Sequence, residues 1–299
     1  MPATRPARPA SNTIIHTHPT TTEGTRQVLE GLEQMDGMAY PRTRHEGPSG
    51  QRLRGTLPAA LAGSTTWMRS KLFDGLFALW TGVFGLAVPV LWLCGSPRPA
   101  IRSATRLWVR GALFGLRHVV GLRHVERGRE HVPDEPCLIV ANHQSTWETL
   151  ASLLLFPDVA IVAKQELLAI PVFSWYLRKS PMIVIDRETG PKALREMIQQ
   201  SQAALAEGRS VLVFPEGTRR QVSEPVAFKR GSEFLYTKLG VPVLPMALNS
   251  GHFWGVGGGS KRAGTITVAY GEPIAPGLSG AEFTRRAEAI LESGKNAAR

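Results

Sequence analysis

The chain has 299 residues, of which 43% are apolar, so it can bury the core of a full α/β domain. The formal net charge of +11 favours an anionic partner such as nucleic acid, lipid headgroups or a phosphorylated substrate. Two cysteines exclude a disulfide framework, and without Cys-x-x-Cys or His-Glu-x-x-His we expect no metal site.

Residues 1–66 differ in composition from the rest of the chain. They are rich in Pro, Thr, Arg and Gly and have no sustained apolar period beyond a short stretch at 28–35, which is typical of a disordered tail. No apolar segment follows a short basic start, so we do not expect a signal peptide. Met68 is an alternative start of translation, and the sequence leaves open whether residues 1–67 belong to the natural protein.

An uncharged apolar run at 75–95 is long enough to cross a bilayer as a helix, at ~1.5 Å per residue. Arg69 and Lys71 stand before it, and Pro89 allows a kink within it. The alternative is a buried core helix, but core helices are rarely apolar on every side. We therefore predict a membrane-embedded helix, which either spans the bilayer or enters it as half of a hairpin.

The segment that follows concentrates the positive charge. Between residues 98 and 129 eight arginines meet one acid, Glu126. Arg102, Arg106 and Arg110 recur every four residues and share one helix face, which favours an amphipathic helix on an anionic leaflet over a solvated surface helix. The positive-inside rule then places everything after Arg98 on the cytoplasmic face. Nucleic acid is disfavoured as the partner, because no aromatic-basic stacking motif accompanies this charge.

From residue 132 onward the pattern is α/β. Short apolar runs alternate with helical patterns, which predicts a mainly parallel sheet flanked by helices over 132–299, preceded by a membrane-associated helical segment at 67–131. The predicted strands are 137–141, 159–163, 182–185, 210–214, 243–248 and 265–270, and the predicted helices are 146–156, 191–207, 231–239 and 281–291.

Polar clusters directly follow several of these strands. Ligands of such sheets bind beyond the carboxyl ends of the strands, so clusters that follow parallel neighbours share one rim. The clusters are 142–143, 164–166, 186–187 and 215–219.

His143 and Glu148 form the candidate catalytic pair in the segment NHQSTWE (142–148). On one helix they would point ~140° apart, so they can meet only if His143 lies in the turn before the helix. A carboxylate on one ring nitrogen would fix the tautomer and leave the other nitrogen to take a proton from a hydroxyl. The alternative is structural, because Ser145 and Glu148 also form a capping box. A carboxylate has enough lone pairs for both roles.

No covalent nucleophile accompanies this pair. The motif Gly-x-Ser-x-Gly is absent, and Cys137 lies within a predicted strand, where it should be inert. A substrate hydroxyl or water would then attack directly.

A second motif, FPEGTR (214–219), follows the strand predicted at 210–214. Pro215 ends the strand, and Gly217 permits a tight turn that presents Glu216, Thr218 and Arg219 together. Arg219 suits bidentate binding of a phosphate, although a single cation is more often a solvated surface group. Further cations that could line the same rim are Lys164, Arg187 and Lys229.

In their order and separation, these motifs resemble those of the glycerolipid acyltransferases, most closely the bacterial 1-acyl-sn-glycerol-3-phosphate acyltransferases. The resemblance covers about residues 98–276, and no counterpart is recognised before Met68. It rests on NHQSTWE (142–148), KQELL (164–168), IDR (185–187), FPEGTR (214–219), FKRGSEFL (228–235) and VPVLP (241–245).

The resemblance implies transfer of a fatty acyl group from acyl-CoA or acyl-carrier protein to the sn-2 hydroxyl of lysophosphatidate, at the bacterial inner membrane and without a cofactor. His143 would be the general base and Glu148 would orient it, with backbone N–H groups near the helix start as candidate oxyanion donors. The glycerol-phosphate would be held by Glu216, Gly217, Thr218 and Arg219, with help from Arg187 and Lys164.

One departure from the family pattern concerns the acid of the first motif. The family usually has Asp there, and this chain has Glu148, which is one methylene longer. Three alternatives remain at this point: acylation of another lyso-lipid such as a lyso-ornithine lipid, a membrane lipid hydrolase that uses His143 to activate water, and a non-enzymatic membrane adaptor.

Overall fold

The computed structural model describes residues 59–169, 173–180, 182–186 and 189–297. The tail predicted at 1–66 therefore lies mostly outside the described residues. The helices are α1 (Ala59–Leu93), α2 (Arg98–Gly115), α3 (Trp147–Leu155), α4 (Phe173–Lys179), α5 (Pro191–Ala206), α6 (Gly231–Leu239) and α7 (Gly280–Ala297). The strands are β1 (Leu122–Arg127), β2 (Leu138–Ala141), β3 (Val159–Lys164), β4 (Ile183–Ile185), β5 (Ser210–Val213), β6 (Val243–Leu248) and β7 (Gly264–Tyr270).

The strands form one sheet in the order β1-β7-β6-β2-β5-β3-β4. The five strands from β6 to β4 pair in parallel, β7 is antiparallel to β6, and β1 is parallel to β7. The predicted α/β class, with a mainly parallel sheet flanked by helices, is confirmed. The carboxyl ends of β2, β5 and β3 consequently lie side by side at one edge of the sheet.

Helices cover both faces of this sheet, because strand residues alternate between the faces. On β2, Ile139 and Ala141 face one core, which contains Trp147 of α3 and Phe73 of α1. Leu138 and Val140 face the other core, which the helices α5, α6 and α7 close. Burial on both faces explains why the central strands are continuous apolar runs in the sequence.

The strand β1 is not among the six strands that the sequence predicts. Leu122 is its only buried residue, and the other five positions are exposed, so an arginine-rich edge strand shows no apolar alternation. Its pairing with β7 extends the sheet into the segment that the sequence assigns to the membrane-associated region at 67–131. At the other end of that region, α1 begins at Ala59, within a run of alanine and leucine that favours helix.

The helices α1 and α2 form an antiparallel hairpin. The Trp80 indole donates to the backbone oxygen of Trp108 at 3.0 Å, and it lies so close to Gly111 that a side chain at that position would overlap it. By length and composition, residues Gly63–Leu93 could cross a membrane, the one such segment in the described part of the chain. The outward face of α1 carries an exposed apolar stripe of Leu72, Leu76, Leu79, Val83, Leu86 and Val90.

Two arginines of α2 bind the α/β unit. Arg102 donates to the Asp158 carboxylate at 2.6 Å, and Arg106 donates to three backbone oxygens at the end of α3, those of Leu153, Phe156 and Pro157. The prediction that Arg102, Arg106 and Arg110 together face an anionic leaflet is therefore wrong for the first two. Carbonyls left unpaired at a helix end also attract a cation, and a four-residue spacing of arginines does not distinguish such a partner from lipid phosphates.

Lys261 fastens α1 to the loop before β7. Its side chain is 5% exposed, and its Nζ lies 2.6 Å from the Asp74 carboxylate and 4.8 Å from the centre of the Trp254 ring. Its backbone N–H donates to the Ser70 hydroxyl at 3.0 Å. A cation enclosed in this way stabilises the fold through its carboxylate partner and the aromatic face together.

We predict that Lys261→Met lowers the free energy of unfolding by about 1–3 kcal/mol, because Asp74 then loses its counter-ion in a partly buried position. Thermal unfolding of the purified protein in detergent measures the change. The matched control is Lys192→Met, which removes an exposed ion pair with Glu196 and should shift stability by less than about 0.5 kcal/mol. Equal effects of the two substitutions would show that Lys261 does not hold α1.

Candidate active site

The candidate residues lie on one rim of the sheet. The strand β5 lies between β2 and β3 and is parallel to both. The FPEGTR loop after β5 therefore sits between the turn after β2, which carries His143, and Lys164 at the end of β3. Arg187 belongs to the same predicted set but lies outside the described residues.

The turn that carries His143 is fixed by its neighbours on both sides. The Asn142 side chain donates to the backbone oxygen of Leu248 and accepts from its backbone N–H, at 2.9 and 2.8 Å. The backbone N–H of His143 donates to Glu216 Oε1 at 2.8 Å, and its carbonyl oxygen accepts from Arg220 N at 2.7 Å. The turn is thereby held between β6 and the loop after β5.

The side chains of His143 and Glu148 are in direct contact. His143 Nδ1 lies 2.9 Å from Glu148 Oε1, and the imidazole stacks on the Phe214 ring with centroids 4.0 Å apart. His143 lies in the turn before α3, which is the geometric condition that their spacing imposes. The side chain of His143 is 15% exposed, and within the described residues its Nε2 forms no hydrogen bond. The nitrogen directed away from Glu148 is thus the one that a substrate can reach.

Glu148 makes the contacts that both interpretations of its sequence position require, one with the His143 ring and one with a backbone N–H before the helix. Its Oε1 accepts from His143 Nδ1 and from the backbone N–H groups of Gln144 and Ser145, the latter two at 2.7 and 2.6 Å. Its Oε2 accepts from the hydroxyls of Ser145 and Ser250 at 2.5 and 2.8 Å. Burial alone would raise the pKa of Glu148. The hydrogen bond and charge of His143, together with two hydrogen bonds from Ser145, hold this pKa below its ordinary value. The carboxylate therefore stays ionised although it is fully buried.

Ser250 and Gln144 are site residues that sequence reasoning missed. Both are buried, and Gln144 Oε1 accepts from the backbone N–H of Gly251 at 3.1 Å. A side chain at position 251 would meet Val222 and Gln144, so the segment 249–251 (NSG) packs closely against the His143 turn. The signal in the sequence is the polar run NSG directly after the strand at 243–248, at the same end of the sheet as the other polar clusters.

Glu216 points into the protein rather than toward the rim. It is 2% exposed, and burial raises its pKa to about 7. The hydrogen bond from the His143 backbone and the charges of Arg220 and Lys295 offset burial only in part. The sequence predicts a substrate-binding role for Glu216, whereas its one described contact at short range is with the His143 backbone.

The Gly217 turn lies against the Lys229 side chain, on the rim that also carries Arg219 and Lys164. Gly217 has φ of 74°, and a Cβ there would lie 3.0–3.1 Å from the outer atoms of the Lys229 side chain, so glycine is required. Thr218, Arg219, Lys229 and Lys164 are exposed. Among the described residues the side chains of Arg219 and Lys164 form no hydrogen bond or ion pair, so both cations can bind a ligand.

Four of the backbone N–H groups near the helix start, where the sequence suggests oxyanion donors, already have acceptors. The N–H of His143 donates to Glu216, those of Gln144 and Ser145 donate to Glu148, and that of Trp147 donates to the Ser145 hydroxyl at 3.0 Å. These four groups cannot serve an oxyanion in this conformation. Across the described residues there is also no group of three or more His, Cys, Asp or Glu side chains that could hold a metal ion.

Known proteins are similar to this chain in sequence and in fold. A family model described as Acyltransferase matches residues 123–249, which include the described site residues named above except Ser250. The 1-acyl-sn-glycerol-3-phosphate acyltransferase of Pseudomonas aeruginosa is 40% identical over 196 residues, which cover 64% of this chain and 76% of that protein.

The chain belongs to the 1-acyl-sn-glycerol-3-phosphate acyltransferase family. The crystal structure of the 1-acyl-sn-glycerophosphate acyltransferase PlsC from Thermotoga maritima superimposes with a TM-score of 0.57 at 26% identity, over 75% of this chain and 97% of that one. The mouse 1-acyl-sn-glycerol-3-phosphate acyltransferase alpha is 33% identical over 144 residues, and the match spans 50% of its length and 48% of this chain. The chain is accordingly an O-acyltransferase enzyme.

For this acyltransferase we predict that Glu216→Gln keeps activity within a few-fold of wild type, because the amide oxygen can still accept from His143 N. Glu216→Ala leaves that buried N–H unpaired and should lower kcat by roughly 10- to 100-fold. Initial rates of acyl transfer for the three proteins measure this. A loss as large in the Gln variant as in the Ala variant would contradict the role of Glu216 as an acceptor.

The raised pKa of Glu216 also predicts how stability depends on pH. The folded state binds the proton more tightly than the unfolded state, so the wild type loses stability as pH rises from about 4.5 to about 7. Glu216→Gln does not titrate, so its melting temperature relative to wild type should be higher at pH 8 than at pH 5. The control Glu207→Gln, at an exposed position, should show no such difference.

Proposed function

We propose that this enzyme transfers a fatty acyl group from an acyl thioester, acyl-CoA or acyl-carrier protein, to the sn-2 hydroxyl of lysophosphatidate, giving phosphatidate. The observation that carries the proposal is the contact of His143 with Glu148 beside the FPEGTR loop. The names of the Pseudomonas and Thermotoga relatives support the acceptor. The reaction requires a co-substrate thioester and no resident cofactor.

In the proposed mechanism His143 is the general base. The carboxylate of Glu148 accepts Nδ1–H, which places the basic lone pair on Nε2. Nε2 removes the proton of the sn-2 hydroxyl as its oxygen attacks the thioester carbonyl carbon, which gives a tetrahedral oxyanion. The carbon–sulfur bond then breaks, and the departing sulfur takes the proton from the imidazolium. The ester, the free thiol and neutral His143 are the products of one turn.

The phosphate of the acceptor binds, in this proposal, to the cations around the Gly217 turn. Arg219 and Lys164 are exposed without protein partners among the described residues, and Lys229 crosses the face of Gly217. Arg187 and the hydroxyl of Thr218 complete the predicted set. A planar guanidinium provides two parallel donors to phosphate oxygens, which an ammonium cannot. Glu216 is assigned to the His143 backbone instead of the substrate, since it is buried and its Oε1 accepts from His143 N.

The contacts of α1 favour insertion of the helix into one leaflet over an orientation that spans the bilayer. The α/β unit touches α1 at Ser70 through Lys261 and again at Phe84, whose backbone oxygen accepts from the Tyr176 hydroxyl at 3.1 Å. These contacts are ~21 Å apart along the helix. A spanning orientation would carry the polar α/β unit into the hydrocarbon, whereas an orientation in the leaflet plane buries only the apolar stripe. We place the enzyme on the cytoplasmic face of the bacterial inner membrane.

His143→Ala should abolish formation of phosphatidate from lysophosphatidate and acyl-CoA, with a loss of at least about 100-fold in kcat, because no other base adjoins the hydroxyl. Thin-layer separation of labelled lipid products measures it, and the exposed His118→Ala is the matched control that should retain activity. Release of free fatty acid without phosphatidate by the wild type would identify a hydrolase. Retained turnover in His143→Ala would remove the general-base proposal.

Arg219→Ala should raise the KM for lysophosphatidate about 10-fold or more with a smaller change in kcat, because a charge-assisted contact with the phosphate is lost. Arg195→Ala, at an exposed position on α5, should leave KM unchanged. Assays with a lyso-lipid that has no phosphate monoester test the acceptor class. If that lipid is the better acceptor of the wild type, the phosphate site is assigned wrongly.

A further inference from the structure

Ser250 is a fully buried hydroxyl whose partner is the acid of the catalytic pair. Its Oγ donates to Glu148 Oε2 at 2.8 Å, although the two residues are 102 positions apart in the sequence. Nothing in the proposed mechanism yet uses this group. It belongs to the segment after β6, which lies outside NHQSTWE and FPEGTR.

The backbone around Ser250 is held rigidly. The side-chain oxygen of Asn249 accepts from the backbone N–H of Thr267 at 2.8 Å, and the backbone N–H of Gly251 donates to the Gln144 side chain. The carbonyl oxygen of Ser250 accepts from the backbone N–H groups of Phe253 and Trp254, both at 3.0 Å. A hydroxyl fixed on such a backbone can impose an orientation on its partner, because it has little freedom to follow it.

The two carboxylate oxygens of Glu148 accept hydrogen bonds from different donors. Oε1 accepts from His143 and two backbone N–H groups, while Oε2 accepts only from the two serine hydroxyls among the described residues. Ser145 lies on the same turn as His143 and would move with it. Ser250 belongs to a different segment and therefore fixes the carboxylate relative to the rest of the rim.

Glutamate at this position makes such a restraint necessary. Its side chain has one more rotatable bond than aspartate, and a buried carboxylate oxygen without a donor is costly. If Oε2 lost Ser250, the carboxylate could rotate, and Oε1 would leave the position that aligns the His143 ring. The extra methylene also extends Oε2 to Ser250 in the segment after β6, and we expect an aspartate on the same backbone to fall short of it.

We propose that Ser250 is a positioning residue for acyl transfer: it fixes the rotation of the Glu148 carboxylate and thereby the direction of His143 Nε2. The inference rests on the proposed general-base role of His143. Ser250 does not touch the substrate, so its removal should lower kcat and leave KM for both substrates nearly unchanged.

The experiment is a double-mutant cycle of Ser250→Ala with Glu148→Asp. In the wild-type background Ser250→Ala should lower kcat about 10-fold, the effect of one hydrogen bond to a charged group. In the Glu148→Asp background the same substitution should change kcat less than about twofold, because the shorter carboxylate does not reach Ser250. Equal losses in both backgrounds would overturn the proposal.

Ser152→Ala is the matched control. Ser152 is also fully buried, and its hydroxyl bonds to Glu148 at 2.6 Å, but to the backbone oxygen and not to the carboxylate. It should lower the melting temperature, by less than Ser250→Ala does, with kcat unchanged. If Ser250→Ala behaves in the same way, Ser250 is structural only. Ser250→Cys, with similar volume and a weaker donor, replaces the alanine variant if that protein does not fold and should give an intermediate kcat.

The results also separate this inference from the proposed function. If His143→Ala abolishes transfer while Ser250→Ala has wild-type kcat, only the positioning role fails. If His143→Ala retains turnover, the general base is wrong and the role of Ser250 fails with it.

Discussion

The arrangement of the site depends on one buried negative charge. Glu148 is fully buried, and a carboxylate in that position is tolerated only because five donors surround it. Those donors come from the turn after β2 and from the segment after β6, so satisfying the charge also fixes these two parts of the chain against each other. The same constraint orients His143, since its Nδ1 is one of the five donors. Packing, capping and the orientation of the imidazole are therefore consequences of a single electrostatic requirement.

The loop after β5 contributes a second restraint on His143, through Glu216 and the backbone N–H of His143. Glu216 is as buried as Glu148, yet its pKa is raised where that of Glu148 is lowered, because it has fewer donors to offset burial. The two acids act on opposite sides of His143, one on the ring and one on the backbone N–H. The exposed cations Arg219 and Lys164 remain on the outer side, so the rim separates the groups that shape it from those that can meet a ligand.

Much of this organisation could be predicted from the sequence, where apolar period and turn residues carry the information. The fold class, the α/β elements and the shared rim follow from continuous buried strands that end in polar clusters, and helix α6 agrees in both boundaries with the prediction at 231–239. The strand β1 could not be predicted, because an edge strand with five exposed residues has no apolar pattern. The polar run NSG (249–251) marks the position of Ser250 at the rim, but the partners of Ser250, Arg102 and Arg106 could not be predicted. Each depends on a contact between segments at least 47 residues apart, which no local period encodes.

The contact between Lys261 and Asp74 has a geometric consequence for catalysis at a surface. An active site that is joined to its membrane helix by a flexible linker varies in its height above the lipid. Here α1 is held at Ser70 and Asp74 to the same segment, 249–262, in which Ser250 contacts the Glu148 carboxylate. The fold therefore fixes the height of His143 above any surface that binds the apolar stripe. In the proposed reaction the hydroxyl of an acceptor lipid would have to reach that height, so its depth in the leaflet would become a criterion of substrate selection.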